Sequence, residues 1–275
     1  MSVFRSRLSV LTFAALILAV TVASAQTHRA VDNRVWITGD GGYVEAIEKT
    51  THTATTLASG LPNTFGVAVD RDFVWMTSPG SGRSLLKVDK TTQSVVATID
   101  LGIVNATPRG IAIDPDFVWV ADQFIGAVSV VDKRSHAVLR TIFVGSDPIG
   151  IAVDDRYAWV ATAGANAVAR ISKLDFSVTI IAVGSLPQGI AVDRHSVWVA
   201  NAGSNDVSRI DKATGAVIAT IPVGTTPRSV AVDGSFAWVL SQSTNTVEKI
   251  SKASNTVLTT IPAGPSAGSG GNPGI

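Results

Sequence analysis

The sequence has no cysteine in 275 residues. That excludes disulfides and a lipid carried on an N-terminal cysteine, so packing alone must hold the fold. Charge is scarce as well. Only 16% of the residues are charged and the formal net charge is +1. With Arg5 and Arg7 set aside, 20 basic residues face 21 acidic ones, so there is no basic field for nucleic acid. The chain also lacks a phosphate loop, a zinc cluster, a G-x-S-x-G elbow and a calcium loop with full ligand spacing. Nothing carries a 3.6-residue apolar stripe over ten or more positions, which argues against helices.

What is present begins with a leader. Arg5 and Arg7 precede the apolar run LSVLTFAALILAVTVA, and Ala23-Ser24-Ala25 follows. A basic start, a short greasy stretch and small residues describe a secretory signal peptide over residues 1–25. The run is shorter than the roughly 20 residues a membrane span needs. A periplasmic or secreted protein is therefore expected, with no membrane span after cleavage. An uncleaved anchor is the other reading.

The remainder is 46% apolar over the whole chain, enough for a sizeable core, and it repeats. GIAVDRHSVWVANAG (189–203) has close copies in GIAVDDRYAWVATAG, GIAIDPDFVWVADQF and SVAVDGSFAWVLSQS. All six tryptophans share one register: Trp36, Trp75, Trp119, Trp159, Trp198 and Trp238, spaced 39, 44, 40, 39 and 40 residues apart. Asp70, Asp114, Asp154, Asp193 and Asp233 each lie five residues before a tryptophan, and Asp32 lies four before the first. They read as turn formers, because one occurs in every unit.

Each unit resolves into four short strand signals. In the fifth they are 189–193, 196–201, 206–211 and 216–223, separated by Asp-, Asn-, Gly- and Ser-rich turns. Four strands in about 40 residues fit a β-propeller blade. The first strand alternates large, small, large, as in Ile151-Ala152-Val153. That suits the narrow inner edge of a wedge, and the tryptophan on the second strand would fill the gap to the next blade. The fold expected is all-β, a six-bladed β-propeller of four-stranded antiparallel blades over 26–264. Residues 28–33 would supply the first strand of blade 1, so each blade is complete in its own sequence and the ring closes by packing. A Gly/Pro/Ser-rich tail, 265–275, reads as disordered. The linkers share G-x-x-P at Gly145–Pro148, Gly184–Pro187 and Gly224–Pro227. There glycine is expected to take positive φ and proline to stiffen the return. Between units two and three this linker gains three residues.

These residues resemble known propellers. VWVANAGSNDVSRIDKATGAVIATIPVGTTP is similar to the YVTN-type repeat, and the G-I-A-V-D opening to repeats of NHL propellers and of virginiamycin B (streptogramin) lyases. The resemblance covers about 28–264 and implies the fold more than the function. The lyases carry Trp-Phe-Thr-Glu on the second strand and use a histidine and a glutamate near magnesium. No unit here ends that motif in Glu. His52, His136 and His195 fall in turns of the face opposite the expected mouth, which leaves His28 as the one catalytic candidate.

In such a fold the channel mouth is formed by the turns entering first strands and those joining second to third strands. Ten residues before each tryptophan stand Phe65, Arg109, Ile149, Gln188 and Arg228. The second-to-third turns add Asp40, Arg83, Asp122, Gln123, Phe124, Asn201 and Asn205. Phe65, Arg83, Arg109, Asp122, Gln123, Gln188, Asn201 and Arg228 are the ligand-binding candidates. Two arginines with an amide suit an anionic or carbohydrate group. The expectation is a monomeric binding module taking a small molecule or a protein at the mouth, with no cofactor. Two alternatives stand beside it: a lyase or hydrolase at the same mouth, with magnesium only if it is lyase-like, and a purely structural repeat protein.

Overall fold

The computed structural model describes residues 34–39, 43–58, 64–78, 84–102 and 106–263. The expected leader, the first strand over 28–33 and the tail lie outside them. The described residues form six antiparallel sheets, each a meander in sequence order. Five have four strands and the first has three. Blades 2 to 6 occupy 67–100, 108–143, 148–182, 187–222 and 227–262, and blade 1 occupies 34–58. In blade 5 the strands are Pro187–Val192, Ser196–Asn201, Asp206–Asp211 and Val217–Pro222, each within two residues of the sequence reading. No helix among the described residues is long and apolar enough to cross a membrane.

First strands of successive blades from 2 to 6 pack on one another. Their spacing is set by glycine. A Cβ on Gly66, Gly110 or Gly150 would lie 2.3, 2.1 or 2.1 Å from the carbonyl oxygen of Arg109, Ile149 or Gln188 in the next blade. A Cβ on Gly189 would lie 2.6 Å from that of Arg228. Only a residue without a side chain permits so close an approach. Outside this ring the gaps between blades fill with apolar residues. Trp75, Trp119, Trp159 and Trp198 are 0% exposed.

The repeated aspartates do more than turn the chain. In blade 5 Asp193 Oδ1 accepts the backbone N–H of His195 and Ser196, while Oδ2 accepts the Trp198 indole N–H at 3.0 Å. Oδ2 also pairs with Lys252 Nζ of the next blade at 2.7 Å. The same staple joins Asp70 to Lys133, Asp114 to Lys173 and Asp154 to Lys212, at 2.9, 2.7 and 2.9 Å. The lysine stems lie along the apolar seam and the ammonium is largely shielded from water. Lys252 also donates to the backbone carbonyl of Asp233 in its own blade, so one ammonium serves two blades.

Burial opposes ionisation of Asp193, but Lys252, the two backbone N–H groups and the indole outweigh it and hold its carboxyl at about 2. A depressed carboxylate contributes stability above its ordinary value of 3.8, and that stability is lost as pH falls toward 2. Lys252→Met keeps the stem and removes the ammonium. Its acid-unfolding midpoint, followed by tryptophan fluorescence, is expected at higher pH than the parent's.

The linker expectation needs one correction. Gly145 and Gly102 do take positive φ, but Gly184 and Gly224 do not. In the G-x-x-P turns the left-handed residue is the one before proline: Asp147, Leu186 and Thr226, with φ of 52, 50 and 58°. The N–H groups of Leu186 and Thr226 are held by the Oδ1 atoms of Asn166 and Asn205 in the preceding blade, each at 2.9 Å. Gly184 and Gly224 serve close approach instead. A Cβ there would lie 2.6 Å from Asn201 Nδ2 and from Glu248 Oε1, respectively.

Candidate functional site

The linkers and the second-to-third turns share one end of the disc. Pro108 pairs with Asp122, Pro148 with Thr162, Pro187 with Asn201 and Pro227 with Ser241, so each linker enters beside the following turn of its own blade. Two guanidinium groups are fixed on this face. Arg228 Nε donates to Gln242 Oε1 at 2.8 Å, and Nη1 donates to Gln188 Oε1 at 2.7 Å. Gln188 belongs to blade 5, so the arginine bridges two blades. Its Nη2 donors have no protein partner among the described residues. Arg109 lies 4.2 Å from the Phe65 ring centroid, and its Nε donates to Gln123 Oε1 at 2.8 Å. Stacking and a glutamine therefore orient Arg109, whereas two glutamines orient Arg228.

The sequence reading missed Gln242. It stands four residues after Trp238, as Gln123 stands four after Trp119. The register that singled out Gln123 contained the signal for it.

Two candidates are not on the rim. Asp122 and Asn201 have no exposed surface. They close the second strand, where side chains alternate between faces, and theirs turn between blades beneath the turn. Asp122 Oδ2 accepts the Ser129 hydroxyl at 2.8 Å, while Oδ1 has no partner. Burial pushes this carboxyl up to about 6 against the Ser129 hydrogen bond. Asn201 Nδ2 donates to Ser208 Oγ and Asp206 Oδ1. Arg83, Asp40 and His28 lie outside the described residues. Ile149 is partly buried on the rim, and Asn205 Oδ1 is occupied by the linker.

Symmetry breaks at blade 3. The left-handed turn residue is Asn166, Asn205 and Asn245 in blades 4 to 6, but Gly126 in blade 3. No amide fills the space toward the next linker there, and a cleft of about 360 Å³ opens beside Gln123, Gly126 and Asp147. Phe124 and Phe143 flank it and are 77% and 74% exposed. No group of three His, Asp or Glu among the described residues is placed to hold a metal ion.

No protein-family model matches this chain, and no curated protein matches it in sequence. Solved structures match it in shape. A protein of unknown function from Desulfotomaculum acetoxidans superposes with a TM-score of 0.68 at 15% identity, over 83% of this chain and 82% of that one. A chain of a nidogen/laminin complex gives 0.67 at 17% identity, over 83% and 92%. The chain is a six-bladed β-propeller. The computationally designed Ika8 protein gives 0.66 at 11% identity, over 84% of the propeller and 71% of its own length. At such identities the likeness speaks for the fold.

Proposed function

We propose that this propeller is an exported binding module that takes a small anionic or polyhydroxylated ligand at its channel mouth. The observation that carries this reading is Arg228, held by two glutamine carbonyls across a blade boundary with Nη2 uncommitted. A guanidinium has five N–H donors in a fixed fork that matches carboxylate, phosphate and vicinal hydroxyls. Orienting it before the ligand arrives lowers the entropic cost of binding. Arg109, stacked on Phe65 and bonded to Gln123, adds a second guanidinium on the same face. The nidogen/laminin chain is part of a protein complex, which keeps a protein carrying an acidic group among the ligands this face suits. The leader supports a periplasmic or secreted setting, with the propeller acting as a monomer.

The test is thermal stabilisation by phosphate, citrate, glucuronate and neutral sugars, measured on the mature protein and on Arg109→Ala/Arg228→Ala. An anion that stabilises the parent is expected to lose that effect in the double variant. The midpoint of Arg228→Ala alone should move little, because Arg228 is exposed, so that single variant separates loss of the anion effect from loss of stability. Unchanged stabilisation by the anion rejects the site.

A further inference from the structure

The seam between blades 6 and 1 differs from the others. Asp233 makes no ion pair among the described residues and is exposed, while its four counterparts are stapled. Trp238 retains solvent exposure while the four other described indoles are 0% exposed. The Asp233 carboxyl still accepts the Trp238 indole N–H, at 2.8 Å, and the N–H groups of Ser235 and Phe236. This half of the staple is assembled without its cation.

The residues that would complete it are written in the sequence. The face of blade 6 repeats that of blade 2. Lys249 lies 3.8 Å from the Phe236 ring and 5.1 Å from Trp238, as Lys87 lies 4.0 Å from Phe73 and 4.9 Å from Trp75. Blade 2 is covered by Lys133 and His136 of blade 3. Lys133 pairs with Asp70, His136 Nε2 lies 3.1 Å from Lys87 Nζ, and the imidazole meets the Trp75 ring edge-on at 6.3 Å. Blade 1 carries the same pair at the same spacing, Lys49 and His52. His52 and His136 share the left-handed backbone, with φ of 56 and 61°.

We propose that the Asp233–Trp238–Lys249 face of blade 6 receives the Lys49 and His52 turn of blade 1 of the same chain, closing the disc through an ionic clasp. The clasp lies at the outer radius, away from the axis. Ser229 occupies the position of Gly66, Gly110, Gly150 and Gly189, whose missing Cβ lets the other blades approach so closely. Closure of this seam, as proposed, depends on Asp233.

Carbodiimide coupling, which joins a carboxylate to a touching amine, tests this on the full chain. Peptide mass spectrometry should find Lys49 joined to Asp233 in the monomer fraction, beside the Lys133–Asp70 and Lys252–Asp193 links that serve as controls. The link should vanish in K49D and in D233K, and re-form with reversed polarity in the K49D/D233K double variant. Iodide quenching of Trp238 should rise in each single variant and return toward the parent value in the double. Control links without a 49–233 link overturn the proposal. So does a 49–233 link confined to covalent dimers, which would make a second copy the occupant, or coupling of Asp233 to any other amine.

Discussion

Gly150→Ala is expected to lower the unfolding midpoint by roughly 10 °C. The new Cβ would stand 2.1 Å from the Gln188 carbonyl oxygen and 3.3 Å from both the Gln188 carbonyl carbon and Ile190 Cγ2. Both sides of the contact are backbone of packed strands, so no rotamer change relieves it. Overpacking of this kind costs about 3 kcal/mol at its upper end. For a chain of this size each kcal/mol is worth about 2–4 °C. Gly234→Ala is the matched control, because a Cβ there meets nothing within 4 Å and the backbone is not left-handed. It should leave the midpoint within about 0.5 kcal/mol of the parent. Thermal unfolding followed by far-ultraviolet dichroism reads both. Equal midpoints for the two variants would refute the tight axial ring.

The second large effect depends on pH. Asp122→Asn should stabilise the protein above pH 6 and do little at pH 4. A carboxyl raised from 3.8 to about 6 binds a proton more tightly folded than unfolded. Stability therefore falls as pH rises through the window from about 4 to 6, and the loss is complete above it. At about 1.4 kcal/mol per pKa unit the cost at neutral pH is about 3 kcal/mol. Blade 5 already contains the neutral isostere at this position, Asn201 bonded to Ser208 where blade 3 has Asp122 bonded to Ser129. The exchange is not fully compensated, since Asn201 also donates to Asp206 and blade 3 offers Ala127 there. A net gain of about 2 kcal/mol at pH 7.5 is the expected result, by denaturant titration at both pH values. A gain of equal size at pH 4 would mean that the carboxyl does not titrate in this range.

Much of the architecture could be read from the chain because each blade repeats the same constraints in the same order. The register of Trp75 through Trp238 located every second strand, and the alternation in Ile190-Ala191-Val192 located the inner edge. What the repeat concealed was direction. Asp70 and Lys133 are 63 residues apart, and nothing in a one-blade reading says that an aspartate's cation lies in the following unit. Reading the aspartates as turn formers accounted for one carboxylate oxygen and left the other unassigned. At the end of the disc where the linkers enter, counting from tryptophan picked out Gln188 and Arg228, which bond to each other, and Arg109, which bonds to Gln123. Asp122 and Asn201 are the last residues of their second strands and not turn residues, and strand alternation buries their side chains. Gln242 has the register of Gln123, but the turn residues read from the sequence stop at Asn205 and leave out the sixth unit.

Among the described residues, each Asp–Lys staple joins a blade to its immediate neighbour. Cohesion is therefore a chain of pairwise bonds, as in a linear array bent round to meet itself. Loss of structure has a preferred point of entry where the two ends of the array meet. Blade 4, with a stapled neighbour on either side, is the last to feel it.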